Sequence, residues 1–158
     1  MTNNQRFLLL TESLKVFISE VRKARKDLQV YEDWNVKEIL CHVTFWHVNY
    51  AENLLAEENK TTLPLLKGKY SDINIRAFKA YRKKPTETVI KELLDANIEI
   101  ENVVKRGKVK KMTYKEGSRD YTLEEFLDMT EAHIRNHADD LRKSRNGQQG
   151  IHKAFQAD

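Results

Sequence analysis

The sequence predicts an all-α protein, a four-helix bundle with one long crossover connection. Only 5 glycines and 2 prolines occur in 158 residues, so long stretches contain neither of the residues that most often end a helix. Within those stretches, apolar residues recur at steps of three and four, which is the spacing of one helical face. Four such amphipathic segments are typical of a helix bundle.

The composition indicates a soluble domain with a highly charged surface. Charged residues make up 33% of the chain and apolar residues 40%. The net charge of +4 is mild and the two signs are interleaved, so nothing specific indicates nucleic-acid binding. A single cysteine fits a reducing compartment. No apolar run approaches the ~20 residues of a transmembrane helix. We expect a cytoplasmic protein without nucleic-acid or membrane partners. The sequence leaves open whether the protein forms a homodimer.

The first helix is predicted over residues 4–26. Its apolar residues fall on one stripe, with charged side chains on the other faces. The stripe consists of Phe7, Leu10, Leu14, Phe17, Ile18 and Val21. Residues 27–33 then form a connection to the next helix.

The second helix begins at a capping box in which Asn35 is the cap and Glu38 its partner. Its apolar face continues to about residue 57 and consists of Ile39, Val43, Trp46, Tyr50 and Leu54. His42 and His47 lie on opposite flanks of this face at comparable angles. Helix geometry alone therefore does not decide which of the two histidines turns toward the core.

The middle of the chain is predicted to hold a loop, a short helix and a third long helix. Pro64 and Gly68 place the loop at 59–70, and a short helix follows at 72–81. Pro85 starts the long helix and Gly107 ends it. Its buried side consists of Val89, Leu93, Ile100 and Val104. In residues 108–121 Val109, Met112 and Tyr114 alternate, which favours a short extended piece.

The last helix is predicted over residues 122–142, from a capping box of Thr122 and Glu125. Its core-facing stripe consists of Phe126, Thr130, His133, His137 and Leu141. The two histidines are about 40° apart around the axis and one turn apart along it. Buried imidazoles need partners for their nitrogens, and one divalent metal satisfies both. The helix closes a domain spanning residues 1–145, and residues 146–158 are expected to form a flexible tail.

One histidine from the second helix together with His133 and His137 gives three imidazoles and an open position, as in catalytic zinc sites. The alternative is a set of core histidines held by hydrogen bonds. The HExxH motif of metalloproteases is excluded, because Ile134 stands where that motif needs glutamate. Asp140 is either a carboxylate that orients a ligand imidazole or a surface acid. His152, in the tail, is expected to be solvated and not a ligand.

Three further side chains have alternative interpretations. Trp46 is expected to pack in the core, and Cys41 to be a small, partly buried filler and not a nucleophile. Arg119 either binds a carboxylate or phosphate at the end of the bundle or pairs with Asp120 or another neighbour on the surface. Of these two interpretations of Arg119, the surface salt bridge is favoured.

Two short motifs resemble the DinB-like superfamily of four-helix bundles. Residues 34–43, WNVKEILCHV, resemble the entry to that family's second helix, and residues 133–137, HIRNH, look like its final-helix metal motif. The resemblance extends over nearly the whole domain, from residue 4 to about residue 143. The pair Trp46-His47 is similar to a branch that includes ClbS/DfsB-like proteins.

The resemblance implies a metal site more firmly than it implies a reaction. By its position after Trp34, His42 is the residue that would join His133 and His137 around a divalent metal, zinc in the first place and nickel in the second. Characterised members include thiol-dependent transferases and isomerases, and many others have no assigned activity. The protein is expected to be a thiol-dependent transferase or hydrolase acting on a small molecule. Its partner would be a low-molecular-weight thiol.

The residues expected to contact substrate lie at the open end of the bundle: Trp46, His47, Asn49 and Arg119. The metal would act there as a Lewis acid toward a bound thiol or water. The rival interpretation is a non-catalytic binding or protection protein that sequesters a small molecule in the same bundle cavity.

Overall fold

The structure is a computed structural model that describes residues 1–148. Helices make up most of it. Residues 149–158, which include His152 and most of the predicted tail, lie outside the described residues. In the described range there are five helices and one two-stranded antiparallel sheet. The helices are α1 (Asn3–Lys23), α2 (Val36–Asn59), α3 (Tyr70–Tyr81), α4 (Thr86–Arg106) and α5 (Leu123–Arg145). The strands are β1 (Lys111–Met112) and β2 (Tyr121–Thr122).

Three of the long helices begin with complete capping boxes, at Thr2, Asn35 and Thr122. The boxes at Asn35 and Thr122 agree with the sequence prediction, whereas the one at Thr2 starts α1 one residue earlier than expected. The first helix also ends at Lys23 and not at residue 26, because Ala24 is extended. The Lys26 ammonium donates to the carbonyls of Val21 and Ala24 at 2.6 and 2.5 Å, which stabilises this early end.

The helices α1 and α5 lie side by side and run in the same direction. Near their starts, Arg6 pairs with Asp128 at 3.1 Å. Near their ends, Arg145 pairs with Glu20 at 3.1 Å. The first and last helices of the chain therefore pack together along their length.

The helices α2 and α4 form a second parallel pair. His47 of α2 forms a hydrogen bond with Asn97 of α4 at 2.9 Å. Nearer the C-terminal ends of the two helices, Glu58 forms an ion pair with Arg106 at 2.8 Å. A parallel pair cannot be joined by a tight turn, so residues 60–85 cross the molecule between them. This crossover contains α3, which packs on α2.

The two parallel pairs run antiparallel to one another. Arg22 of α1 bonds Glu87 of α4 at 2.9 Å, and Thr11 accepts from Asn97 at 3.1 Å. All five helices contribute to one buried apolar cluster. Between α2 and α5 the backbones come close at few positions. Over residues 1–148 no helix is both long enough and apolar enough to cross a membrane.

Candidate metal centre and adjoining cavity

Three imidazoles meet where α2 faces α5. The Nε2 atom of His133 lies 3.0 Å from Nε2 of His42 and 3.0 Å from Nε2 of His137. The ligand atoms of all three lie within 4.8 Å of one another. His42 and His137 are buried, whereas His133 keeps solvent access. The three histidines named from the sequence therefore form one cluster that can bind a metal ion.

The orientation of His42 is fixed by Asn74 of α3. The Asn74 Oδ1 atom is 2.8 Å from Nδ1 of His42 and also accepts from the Trp46 indole N–H at 2.9 Å. Because a carbonyl oxygen only accepts, Nδ1 of His42 carries the ring proton. The lone pair of this neutral imidazole is therefore on Nε2, the atom that faces the cluster.

His137 is oriented by a two-step chain through Tyr31. The Tyr31 hydroxyl donates to Oδ2 of Asp140 at 2.7 Å, so its oxygen accepts from Nδ1 of His137 at 2.8 Å. Burial first, and then the bond to Asp140, raises the pKa of Tyr31, which keeps the hydroxyl protonated. Asp140 thus acts on His137 through Tyr31, which separates the carboxylate from the imidazole.

All three imidazoles are uncharged at neutral pH. Burial, followed by the neighbouring His133, lowers the pKa of His42 to about 3. Desolvation by the surrounding protein lowers the pKa of His133 to about 4, although the residue keeps solvent access. Burial and then the two other histidines hold the pKa of His137 well below its ordinary value. The neutral imidazole is the form that binds metal ions.

The donor set fits a divalent transition metal. Imidazole nitrogens suit these ions, and tetrahedral bonds of about 2.0–2.1 Å put two ligand nitrogens about 3.3–3.4 Å apart. The two 3.0 Å spacings are within a few tenths of an ångström of that value. Within residues 1–148 the cluster contains no carboxylate or thiol. Cys41 is buried, and burial raises the pKa of its thiol to about 11, so it is not activated as a nucleophile.

A cavity of about 230 Å³ adjoins the cluster, and His42 and His133 form part of its wall. Four aromatic side chains form much of the remaining wall: Trp46, Tyr50, Tyr70 and Tyr114. Trp46 stacks on Tyr70 with ring centroids 5.6 Å apart, and the hydroxyls of Tyr70 and Tyr114 are 2.5 Å apart. The aromatic wall is thus braced by its own contacts beside the candidate metal centre.

Two of the four residues expected to contact substrate line this cavity, namely Trp46 and His47. The other two lie outside its wall. Asn49 is buried and donates to the carbonyl of Pro64 at 3.1 Å. Arg119 pairs with Glu125 at 3.1 Å and covers the Tyr121 ring at 3.9 Å, which agrees with the surface salt bridge favoured for it.

Sequence reasoning missed the residues that orient the cluster, Tyr31 and Asn74. Tyr31 lies in the connection predicted between the first two helices, and no local pattern links it to His137, 106 residues away. Asn74 did carry a signal, since it shares the buried face of α3 with Ile73 and Ala77. An asparagine on an apolar face needs a buried partner, which here is an imidazole.

Comparisons of this chain with protein-family models, with curated proteins and with solved structures give no match. What the site does is therefore inferred from its own residues and their geometry.

Proposed function

We propose that this protein is a divalent-metal-dependent enzyme of the DinB-like four-helix-bundle class, acting on a small molecule as a thiol-dependent transferase or hydrolase. Four long helices in two parallel pairs, joined by one crossover, support the bundle architecture. The two motifs that suggest the class, residues 34–43 and 133–137, provide the histidines of the cluster.

One observation carries the metal proposal: the lone pairs of His42 and His137 converge on Nε2 of His133. Both outer nitrogens are already occupied by protein partners, Asn74 and Tyr31. Such partners fix the tautomer and orientation of metal-binding histidines. In the absence of a metal, a single Nε2–H of His133 would have to serve both acceptor nitrogens, whereas one divalent ion can bind the lone pairs of all three imidazoles.

In this proposal the ligands are His42, His133 and His137, and zinc is preferred to nickel. A divalent ion bound there supplies Lewis acidity, which lowers the pKa of a coordinated water or thiol. Tyr31 and Asp140 hold the proton on Nδ1 of His137, and Asn74 holds the one on His42. The aromatic wall beside the cluster limits the access of water and receives the small molecule.

The test is the metal content of purified protein, measured by inductively coupled plasma mass spectrometry, followed by zinc titration of chelator-treated protein. Wild type should bind one equivalent, and His133→Ala or His137→Ala should lose most of it. His152→Ala, which also removes one histidine, is the control and should bind like wild type. Equal zinc binding by wild type and His137→Ala would refute the metal assignment.

The choice of His42 over His47 as the third ligand has its own test. His47 bonds Asn97 and is outside the cluster, so His47→Ala should keep the metal, while His42→Ala should lose it. The opposite result in this pair of variants would show that the residue carried over from the family is wrong.

A second candidate function is binding without catalysis. The described residues that line the cavity include no carboxylate, and burial lowers the pKa of His42 to about 3 and those of His47 and His133 to about 4, so the wall lacks a strong general base. This favours a protein that only sequesters its ligand. Cobalt(II)-substituted protein separates the two functions. A new sulfur-to-metal absorption band on adding a small thiol indicates an open coordination position, as the enzyme needs, and an unchanged spectrum favours the binding protein.

A further inference from the structure

The outer face of α3 and its flanks carry a local excess of positive charge. Residues 67–84 contain seven lysines and arginines, all of them exposed, and one acidic residue, Asp72. The whole chain has a net charge of only +4, so the rest of the sequence is slightly acidic. The mild overall charge therefore conceals one strongly basic surface.

Most of these cations have no acidic partner among the residues that the structure describes. Lys67 pairs with Glu116 at 3.7 Å, and Lys84 pairs with Glu92 at 3.1 Å. Arg76 donates to the carbonyl of Lys67, which leaves the charge of the guanidinium uncompensated. Within residues 1–148, five cations of the segment form no ion pair: Lys69, Arg76, Lys79, Arg82 and Lys83. The face is thus complementary to an anionic partner.

Four of the unpaired cations follow one side of the helix. Arg76 and Lys79 belong to α3, Lys69 is its N-cap, and Lys83 comes after the C-cap Arg82, which keeps right-handed helical angles. Their separations of seven, three and four residues keep them within about 80° around the helix axis. At a rise of about 1.5 Å per residue, the row is about 21 Å long. A row of this kind is suited to the regularly spaced phosphates of a nucleic-acid strand.

The opposite face of α3 is already used inside the protein. Ile73, Ala77 and Tyr81 are buried there. The apolar side of this amphipathic helix is therefore not available for insertion into a bilayer, as a membrane-binding helix requires. Among the large apolar side chains of α3, Ile75 is the exposed one. A nucleic acid is accordingly favoured over a membrane as the polyanion.

The aromatic residues of the segment indicate a double strand. Tyr70 and Phe78 are half-buried and Tyr81 is buried, so none of these rings is exposed beside the basic row. Proteins that bind single strands stack the bases on exposed aromatic rings. The phosphates of a duplex can be contacted without any such ring.

We propose that the outer face of α3, through Lys69, Arg76, Lys79 and Lys83, binds the phosphate backbone of a nucleic-acid duplex without sequence preference. This departs from the expectation drawn from the charge of the whole chain, which averages the basic segment with an acidic remainder. The surface is separate from the histidine cluster, so the inference does not depend on the metal or on the proposed function.

The test is fluorescence anisotropy of a labelled 20-base-pair DNA duplex titrated with chelator-treated, full-length protein. Binding should saturate at 50 mM sodium chloride and should be similar for two duplexes of unrelated sequence. With four phosphates neutralised, log Kd should rise with log salt at a slope of about 3.6. No saturable binding at 50 mM salt, or binding that does not respond to salt, would overturn the proposal.

Substitution of two lysines of the row then tests the assigned face. Lys79→Gln combined with Lys83→Gln should weaken duplex binding at least ten-fold at 50 mM salt and lower the slope by about 1.8. Lys91→Gln combined with Lys105→Gln is the matched control, because it removes the same charge from exposed lysines of α4. The control should stay within about three-fold of wild type. Equal losses in the two double variants would show that net charge matters and not this face.

Cosedimentation with vesicles containing 30% phosphatidylserine tests the other polyanion. We expect little binding to these vesicles at the salt concentration at which the duplex binds. Vesicle binding that the Lys79 and Lys83 substitutions abolish, together with no saturable duplex binding, would assign the face to a membrane and overturn the proposal.

Discussion

Tyr31 and Asn74 each occupy the outer nitrogen of one imidazole and so determine which nitrogen faces the cluster. Removing the Tyr31 hydroxyl frees Nδ1 of His137 and permits the other tautomer. We predict that Tyr31→Phe weakens zinc binding about 10–100-fold, the usual cost of losing such a partner. Competition with a chromophoric chelator at pH 7.5 measures this change.

Tyr81 provides the control for this substitution, because it is another buried tyrosine and is not part of the cluster. Tyr81→Phe should leave zinc affinity within about two-fold of wild type. Unchanged affinity in Tyr31→Phe would mean that the hydrogen bond to His137 has no role in orienting a ligand.

At the same scale, the sequence was informative about the histidines and silent about their partners. Helical spacing placed His133 and His137 on one apolar face, of which His137 is buried and His133 is exposed, and a family resemblance selected His42. Neither kind of information reaches Tyr31, whose bond to His137 depends on how the connection after α1 is folded back on α5. Contacts of this kind exist only in the tertiary structure.

The individual helices are stabilised at their starts by side chains that can be read from the sequence. In α5 the Thr122 hydroxyl accepts from the Glu125 N–H at 3.1 Å, and the Glu125 carboxylate accepts from the Thr122 N–H at 2.9 Å. We predict that Thr122→Ala lowers the free energy of unfolding by about 1 kcal/mol, the typical cost of losing a cap. Urea denaturation followed by circular dichroism measures it.

Thr122→Ser keeps the capping oxygen and should retain most of that stability. A loss in Thr122→Ser as large as that in Thr122→Ala would assign the effect to the missing methyl group and not to the cap.

Helix boundaries were predictable where a capping box marks them, and also in α4, which starts after Pro85 and ends before Gly107 as expected. α3 has no side-chain cap at Lys69, and it begins at Tyr70, two residues before the expected start. α1 ends where the Lys26 side chain satisfies its last carbonyls, an arrangement that periodicity cannot indicate. The short extended piece expected within residues 108–121 is present as β1, paired with β2.

The whole molecule should lose stability in mild acid because its buried histidines resist protonation. Burial lowers the pKa of His47 from its ordinary value of 6.5 to about 4. Below pH 6.5 the His47 imidazole is therefore protonated in the unfolded chain, whereas in the folded chain it stays neutral until the pH approaches 4. For His47 alone we predict a loss of about 2 kcal/mol in the free energy of unfolding between pH 7.5 and pH 5.

Urea denaturation of chelator-treated protein at the two pH values measures this loss. In His47→Gln, which cannot titrate, the difference between the two pH values should shrink by about the predicted amount. The histidines of the cluster act in the same direction and account for what remains. If the variant and wild type show the same pH dependence, His47 is not buried in its neutral form.

The arrangement of the helices was less predictable than the helices themselves. An amphipathic stripe shows that a face is buried but does not identify the helix that covers it. A site shared by one histidine of the second helix, His133 and His137 predicts that the second and the last of the long helices are neighbours. In the structure α5 lies mainly against α1 and α2 mainly against α4, and the histidine rings bridge the distance between the two pairs.

The parallel packing of α1 on α5 has a consequence for how the protein is made. The first helix leaves the ribosome long before the helix that covers its apolar face exists, a wait on the order of ten seconds at ordinary rates of synthesis. During that time Phe7, Leu14 and Phe17 are available to chaperones. A chain truncated before Leu123 should accordingly be digested rapidly by a protease that leaves the full-length protein intact. Equal resistance of the two proteins would show that another part of the chain covers the apolar face of α1 before α5 is synthesised.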